Sequence, residues 1–270
     1  MEEIGKQNDF VQNQIRAYFN SRGYDILFFG GEDAETISHI VRSTCNSNTM
    51  KKAIFCQNDY NDRLDIPLDI KVFRFAVNRS VRGENEYIYP APFFSKSESF
   101  EPLIPIYKPR ISYCGSPSTY PLRQEWLDKI KSSSKVICDF ITRDRFFFMY
   151  KENPAVMNEY NNEFINNMKY SEFCFCPRGT GNFSIRFYEA LHNGRIPVLL
   201  NTDTVLPLEQ QIDYKNICVF SNNIDTLPDD VIEFSKTHDL LEVQRLCKET
   251  FNKYFHWDKL AETMFSEIPQ

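Results

Sequence analysis

The chain is built of short, continuous apolar runs separated by polar stretches. Asp25-Ile26-Leu27-Phe28-Phe29, Ala53-Ile54-Phe55-Cys56 and Lys71-Val72-Phe73-Arg74-Phe75-Ala76-Val77 lack the alternation of a half-exposed strand. They read instead as strands buried on both faces. Ile37, Ile40 and Val41 recur at three- and four-residue spacing, which predicts a helix over 34–43. Pro90, Pro92, Pro102, Pro105 and Pro109 then forbid a helix and disfavour a central strand, so this stretch reads as a joint. Beyond it, strands are predicted over 110–114, 135–140, 173–176, 196–200 and 217–220. Helices are predicted over 122–130 and along Val156, Tyr160, Phe164 and Met168, and the tail over 240–265 is mostly helical. Strands alternating with helices imply parallel sheets covered on both faces. The expected fold class is α/β, with two Rossmann-like lobes facing a cleft. One lobe is expected over 1–105 and the second over 106–250, with a C-terminal helix over 251–270 packing back on the first.

Composition narrows the function classes. Hydrophobic residues make up 42% and charged residues 25%, enough for packed cores and unlike a disordered chain. The net charge of −6 argues against a nucleic-acid partner, which calls for a basic surface. No apolar run approaches the roughly eighteen residues of a membrane span, and the first residues show no basic-then-apolar leader. A soluble, cytoplasmic protein is expected. The eight cysteines include no C-x-x-C pair and no histidine at zinc spacing, so they are expected to be reduced core thiols and no metal site is expected.

Glycine is scarce, nine residues in all, and it concentrates where strands turn into helices. The densest case is Cys176-Pro177-Arg178-Gly179-Thr180-Gly181-Asn182-Phe183-Ser184, followed by the helical stretch Ile185-Arg186-Phe187-Tyr188-Glu189-Ala190-Leu191. Two glycines in three positions let backbone approach a ligand, Asn182 or Ser184 can cap the helix, and the free N–H groups there suit a phosphate. Arg186 and Glu189 share a face of this helix. They read either as an ordinary intrahelical pair or as nucleotide ligands. In the second case Arg186 and Arg178 clamp a diphosphate, which would compensate for a cation in a first helical turn, and Glu189 accepts both ribose hydroxyls. A rival reading is a dinucleotide fingerprint, Gly179-x-Gly181-x-x-Ser184 with Asp203 about twenty residues on; it lacks the third glycine.

Tyr170-Ser171-Glu172-Phe173-Cys174-Phe175-Cys176-Pro177-Arg178-Gly179, Ser184-Ile185-Arg186-Phe187-Tyr188-Glu189-Ala190-Leu191 and Gly194-Arg195-Ile196-Pro197-Val198 resemble, in order and spacing, the exostosin family of glycosyltransferases. Pro109-Arg110-Ile111-Ser112-Tyr113-Cys114-Gly115 with Arg123-Gln124-Glu125-Trp126-Leu127 is similar to the family's opening segment. The likeness runs from about 108 to 220 and is closest to short, soluble members of large viruses or bacteria. It implies a GT-B architecture, with a UDP-sugar in the C-terminal lobe and a glycan acceptor in the N-terminal lobe. It places Gly115, Arg123, Arg178, Gly179, Asn182, Ser184, Arg186 and Glu189 around the donor. The sequence has no D-x-D and no second glutamate eight residues after Glu189, where Pro197 stands. Inverting transfer without an essential metal or other cofactor is therefore expected, with xylose as the first candidate sugar. A non-catalytic glycan- or nucleotide-binding module and a dinucleotide-dependent oxidoreductase are the alternatives.

Inverting transfer needs a base on the facing lobe. Asp33, Glu32 and Asp59 follow the first two predicted strands, and Asp33 is the first choice although it is equally placed to cap the helix at Ala34. His39 and His192 read as structural. Arg143 and Arg145 are candidates for contacts with the nucleotide.

Overall fold

The computed structural model describes residues 2–44, 50–91, 101–144 and 153–269. Cys45, Pro92, Arg145 and the apolar run 146–150 lie outside the described residues. The N-terminal lobe runs α1 (Glu2–Asn20), β1 (Tyr24–Phe29), α2 (Ala34–Thr44), β2 (Lys51–Cys56), β3 (Lys71–Arg74) and β4 (Glu86–Ile88). Its four strands are all parallel, in the order β1-β2-β3-β4. The continuous apolar runs are buried on both faces, as parallel pairing demands. On one face Phe55 stacks on Phe73 at 4.8 Å between ring centres, with Phe19 edge-on to both. On the other, Ile54, Cys56 and Val72 pack against Ile37 and Val41 of α2.

The C-terminal lobe contains β5 (Arg110–Gly115), α3 (Arg123–Ser132), β6 (Ile137–Thr142), α4 (Pro154–Lys169), β7 (Phe173–Phe175), α5 (Ile185–His192), β8 (Ile196–Leu200), β9 (Val219–Ser221), α6 (Leu227–Thr237), α7 (Leu240–Thr250) and α8 (Leu260–Ser266). Its five parallel strands lie in the order β6-β5-β7-β8-β9. The chain thus leaves β5 toward one edge and returns to lay β7 on its other side. α8 carries Leu260, Ala261 and Met264 into the core of the N-terminal lobe, against Val11, Ile15 and Phe19 of α1. The described cysteines are all free thiols, six of them buried and Cys138 partly so.

Two elements of the N-terminal lobe go beyond the sequence expectation. In α1 the polar residues outnumber the apolar ones and mask a stripe of Val11, Ile15 and Phe19 at four-residue spacing. β4 is three residues long, too short to show a period, and its Glu86 is a buried charge where a strand pattern expects an apolar residue. The predicted strand over 71–77 ends at Arg74, where the guanidinium turns inward to meet Glu86.

The lobes meet along a polar seam. Ser80 donates through N–H and Oγ to Asp203 Oδ2, at 3.1 and 2.5 Å. Arg79 forms a forked pair with Glu209, and its Nη2 also donates to the Thr204 carbonyl, 3.0 Å. Asn182 Nδ2 donates to Asn78 Oδ1, 2.7 Å.

Candidate functional site

Because β5 lies between β6 and β7, the loops that leave β5 and β7 diverge, opening a crevice beyond the carboxyl ends of these strands. Ligands of open α/β sheets sit at such a switch point. Gly115 closes β5 on one side, and the glycine turn of residues 176–184 leads from β7 into α5 on the other. Ser184 takes the N-cap position of α5 in extended conformation, and its hydroxyl makes no capping bond, so the orphan first-turn N–H groups have no cap from that side chain.

Arg186 and Glu189 come together here. The Arg186 guanidinium lies 4.7 Å over the Tyr113 ring and 5.1 Å from the Phe164 ring, and donates to the Cys114 carbonyl at the end of β5. A cation in a first helical turn opposes the helix dipole; here the two aromatic faces and the carbonyl hold it. A Cβ on Gly115 would fall 3.2 Å from Arg186 Nη2 and 3.4 Å from the Tyr113 hydroxyl, so glycine leaves the guanidinium its place. Burial pushes the Glu189 carboxyl up to about 7, against the pull of Arg186. The crevice therefore presents a fixed positive group beside a carboxyl poised near neutrality.

Other residues expected around the donor serve to shape it. Arg123 is buried, and its donors go to the carbonyls of Ser116, Pro177 and Arg178. It ties the loop after β5 to the loop after β7, so it builds the crevice wall instead of reaching into the crevice. Arg178 stacks on Tyr120 at 4.6 Å and donates to the Gly179 and Thr180 carbonyls, bracing its own turn. The Asn182 amide is fully occupied: Nδ2 bonds Asn78 and the Thr202 carbonyl, and Oδ1 accepts from Thr202 and Thr204. Its side chain is thus a seam residue, and only the turn's backbone is left to a ligand. Arg143 pairs with Glu163 and stacks on Tyr160.

The three base candidates separate clearly. Asp33 Oδ1 accepts from the Thr36 N–H, 2.7 Å, as the cap of α2, and Glu32 accepts from the Gly30 and Gly31 N–H groups, 2.7 and 3.0 Å. These bonds hold both carboxyls below their ordinary range, the wrong direction for a base. Asp33, the first choice from sequence, is therefore a helix cap. Asp59 is solvent-facing but adjoins the glycine turn, and desolvation raises its pKa. Its Oδ1 would lie 2.8 Å from a Cβ on Gly181, and the Phe183 ring would be equally close. Gly181→Ala must displace both, so a loss of about 1–3 kcal/mol in denaturant unfolding is expected. Asn61, Asn78 and Tyr113 are site residues that the sequence reading passes over. The two asparagines sit in loops without a motif, and Tyr113 reads as one more buried aromatic of β5. Among the described residues, no three His, Cys, Asp or Glu side chains are gathered to hold a metal ion. Nor is any helix long and apolar enough to cross a membrane.

The Exostosin GT47 domain model matches residues 112–228, from within β5 to the start of α6. Exostosin-1 of Drosophila melanogaster is 33% identical over 100 residues, 36% of this chain and 13% of that protein. A probable glucuronosyltransferase of Oryza sativa subsp. japonica is 34% identical over 100 residues, 36% of this chain and 23% of the relative. A probable β-1,4-xylosyltransferase of Arabidopsis thaliana, IRX10L, is 35% identical over 78 residues, 28% of this chain and 19% of the relative. The matched stretch thus spans less than a quarter of each of these three relatives. Among solved structures, the apo form of the lipopolysaccharide outer core galactosyltransferase WaaB superposes with a TM-score of 0.52 at 11% identity, covering 98% of this chain and 82% of that one. The two sheets, the switch-point crevice and these likenesses lead to one statement: the chain has the GT-B fold, and part of its C-terminal lobe, residues 112–228, is similar to the Exostosin GT47 domain.

Proposed function

We propose that this chain is a glycosyltransferase that moves a sugar from a UDP-sugar to a hydroxyl of a glycan acceptor, with inversion and without an essential metal. The observation that carries this reading is Arg186 in the first turn of α5, held against the end of β5, with Glu189 one turn on and within its electrostatic field. Arg186 and the helix N-terminus would hold the diphosphate and stabilise the charge that grows on it as the sugar leaves. Glu189, one turn deeper, would accept the ribose hydroxyls. In the transfer step the acceptor oxygen forms a bond to the anomeric carbon while the bond to the diphosphate oxygen breaks. The hydroxyl proton passes to a carboxylate of the N-terminal lobe, and Asp59 is our candidate because it borders the glycine turn with a raised pKa. The names of the plant relatives, a probable glucuronosyltransferase and a probable β-1,4-xylosyltransferase, favour xylose or glucuronic acid as the sugar; xylose is our first choice.

Calorimetric titration of UDP, GDP, ADP and NAD in EDTA tests the donor site. UDP is expected to bind, and Arg186→Ala to weaken it at least about tenfold, which is about 1.4 kcal/mol. Binding of NAD, or of no nucleotide, would overturn the reading. Slow hydrolysis of UDP-xylose or UDP-glucuronate without acceptor then separates an enzyme from a binding module.

A further inference from the structure

The loop between β2 and β3 carries no motif, yet it makes a specific contact across the cleft. Asn61 lays its carboxamide along the glycine turn: Oδ1 accepts from the Asn182 N–H, and Nδ2 donates to the Thr180 carbonyl, 2.9 Å. One side chain thus satisfies a donor and an acceptor of the same short backbone stretch. Asn61 is itself held on both sides. Its carbonyl accepts from the Asn78 N–H, 3.0 Å, and the preceding Tyr60 carbonyl accepts from Arg74 Nη2, 2.7 Å. A Gly-x-Gly turn has wide conformational freedom, and an anion cradle binds tightly only when it is already in its binding shape. Within the C-terminal lobe, Arg178 and the Thr180 hydroxyl, which donates to the Thr119 carbonyl, brace the turn. The Asn182 N–H, two residues before the helix cap, is held from the other lobe.

We infer that Asn61 is a positioning residue for the nucleotide diphosphate, a side chain of the N-terminal lobe that fixes the turn from which the C-terminal lobe binds its donor. The inference rests on the reading of that turn and α5 as the diphosphate site. It makes the donor site complete only while the two lobes are in contact.

Asn61→Ala and Asn61→Asp, made in the full chain, test this by UDP titration and by hydrogen exchange of the backbone amides of 179–184. Alanine removes both bonds: the Asn182 amide should exchange faster and UDP affinity should fall about tenfold as preorganisation is lost. The thermal midpoint should stay close to the parent's, because Asn61 is only partly buried. Aspartate keeps the accepting oxygen, so the Asn182 amide stays protected, but it sets a negative charge beside the diphosphate. It should weaken UDP more than alanine at low salt, with the gap closing as salt rises. An alanine variant with parental amide exchange and parental UDP affinity would overturn the inference. So would tighter UDP binding, which would make Asn61 a competitor for the amide. If the parent chain itself does not bind UDP, the donor-site reading fails. The exchange pattern of the two variants then still decides whether Asn61 holds the turn.

Discussion

Glu189→Gln is expected to be more stable than the parent chain at pH 8 and to lose at least about tenfold in UDP affinity, since hydrogen bonds to a charged group contribute about 1.5–3 kcal/mol each. The sign follows from proton binding. The unfolded chain releases the Glu189 proton near the ordinary 4.5, whereas burial delays release in the folded chain to about 7. Between these values the folded state binds more protons, so stability falls as pH rises and then levels off above 7. At about 1.4 kcal/mol per unit, the ionised carboxyl costs up to about 3 kcal/mol above pH 7. Glu267 acts in the same direction: it is also pushed to about 7 by burial, although the Leu208 N–H donates to it. Asp33, Glu32 and Asp203 have lowered values and act oppositely, their contribution being lost only as pH falls below the ordinary carboxyl range. The parent's denaturation midpoint should therefore decline from about pH 5 to 7.5. Glutamine at 189 should flatten that limb and raise the midpoint at pH 8 by about 5 °C. A parent whose midpoint does not fall over this range would refute the account, as would a glutamine variant that falls as steeply. A site that costs stability for an ionised carboxyl, and loses its ligand when relieved of it, is a functional site.

What the sequence made legible was the part held by local rules. Continuous apolar runs located the strands, because parallel strands are buried on both faces. Glycines at strand ends located the turn before α5. Arg186 and Glu189 stood out because a cation in a first helical turn needs a reason. What stayed hidden depends on residues distant in sequence. Arg123 belongs to the family-like opening and reads as a ligand, but its guanidinium is drawn into three carbonyls from two different loops. Asp33 and Asp59 are equivalent by position after a strand, and only the placement of the lobes sets Asp59 against Gly181. Asn61 lies 121 residues from the amide it holds. No spacing rule reaches that far.

Glu86→Ala is expected to cost about 3–5 kcal/mol, the largest single loss in the N-terminal lobe, because it strands a buried guanidinium. Arg74 and Glu86 are 1% and 2% exposed and pair at 3.0 Å between neighbouring strands. Glu86 also accepts from the Gly83 N–H, and Arg74 also donates to the Tyr60 carbonyl. Such a pair is a weak source of stability, since desolvation offsets most of its attraction, and apolar residues of similar size often do as well. The fold thus had a cheaper solution, and the role of the charge lies in the third contact. An apolar side chain in place of Arg74 cannot hold Tyr60, and with it the loop that carries Asp59 and Asn61 to the glycine turn. The double variant Arg74→Met with Glu86→Leu separates the two effects. Its denaturation midpoint should return to near or above the parent's, while amides 58–62 exchange faster and UDP binding stays weakened. A double variant that regains stability and binds UDP as tightly as the parent would show that the loop needs no anchor from beneath. The buried pair would then be structural alone.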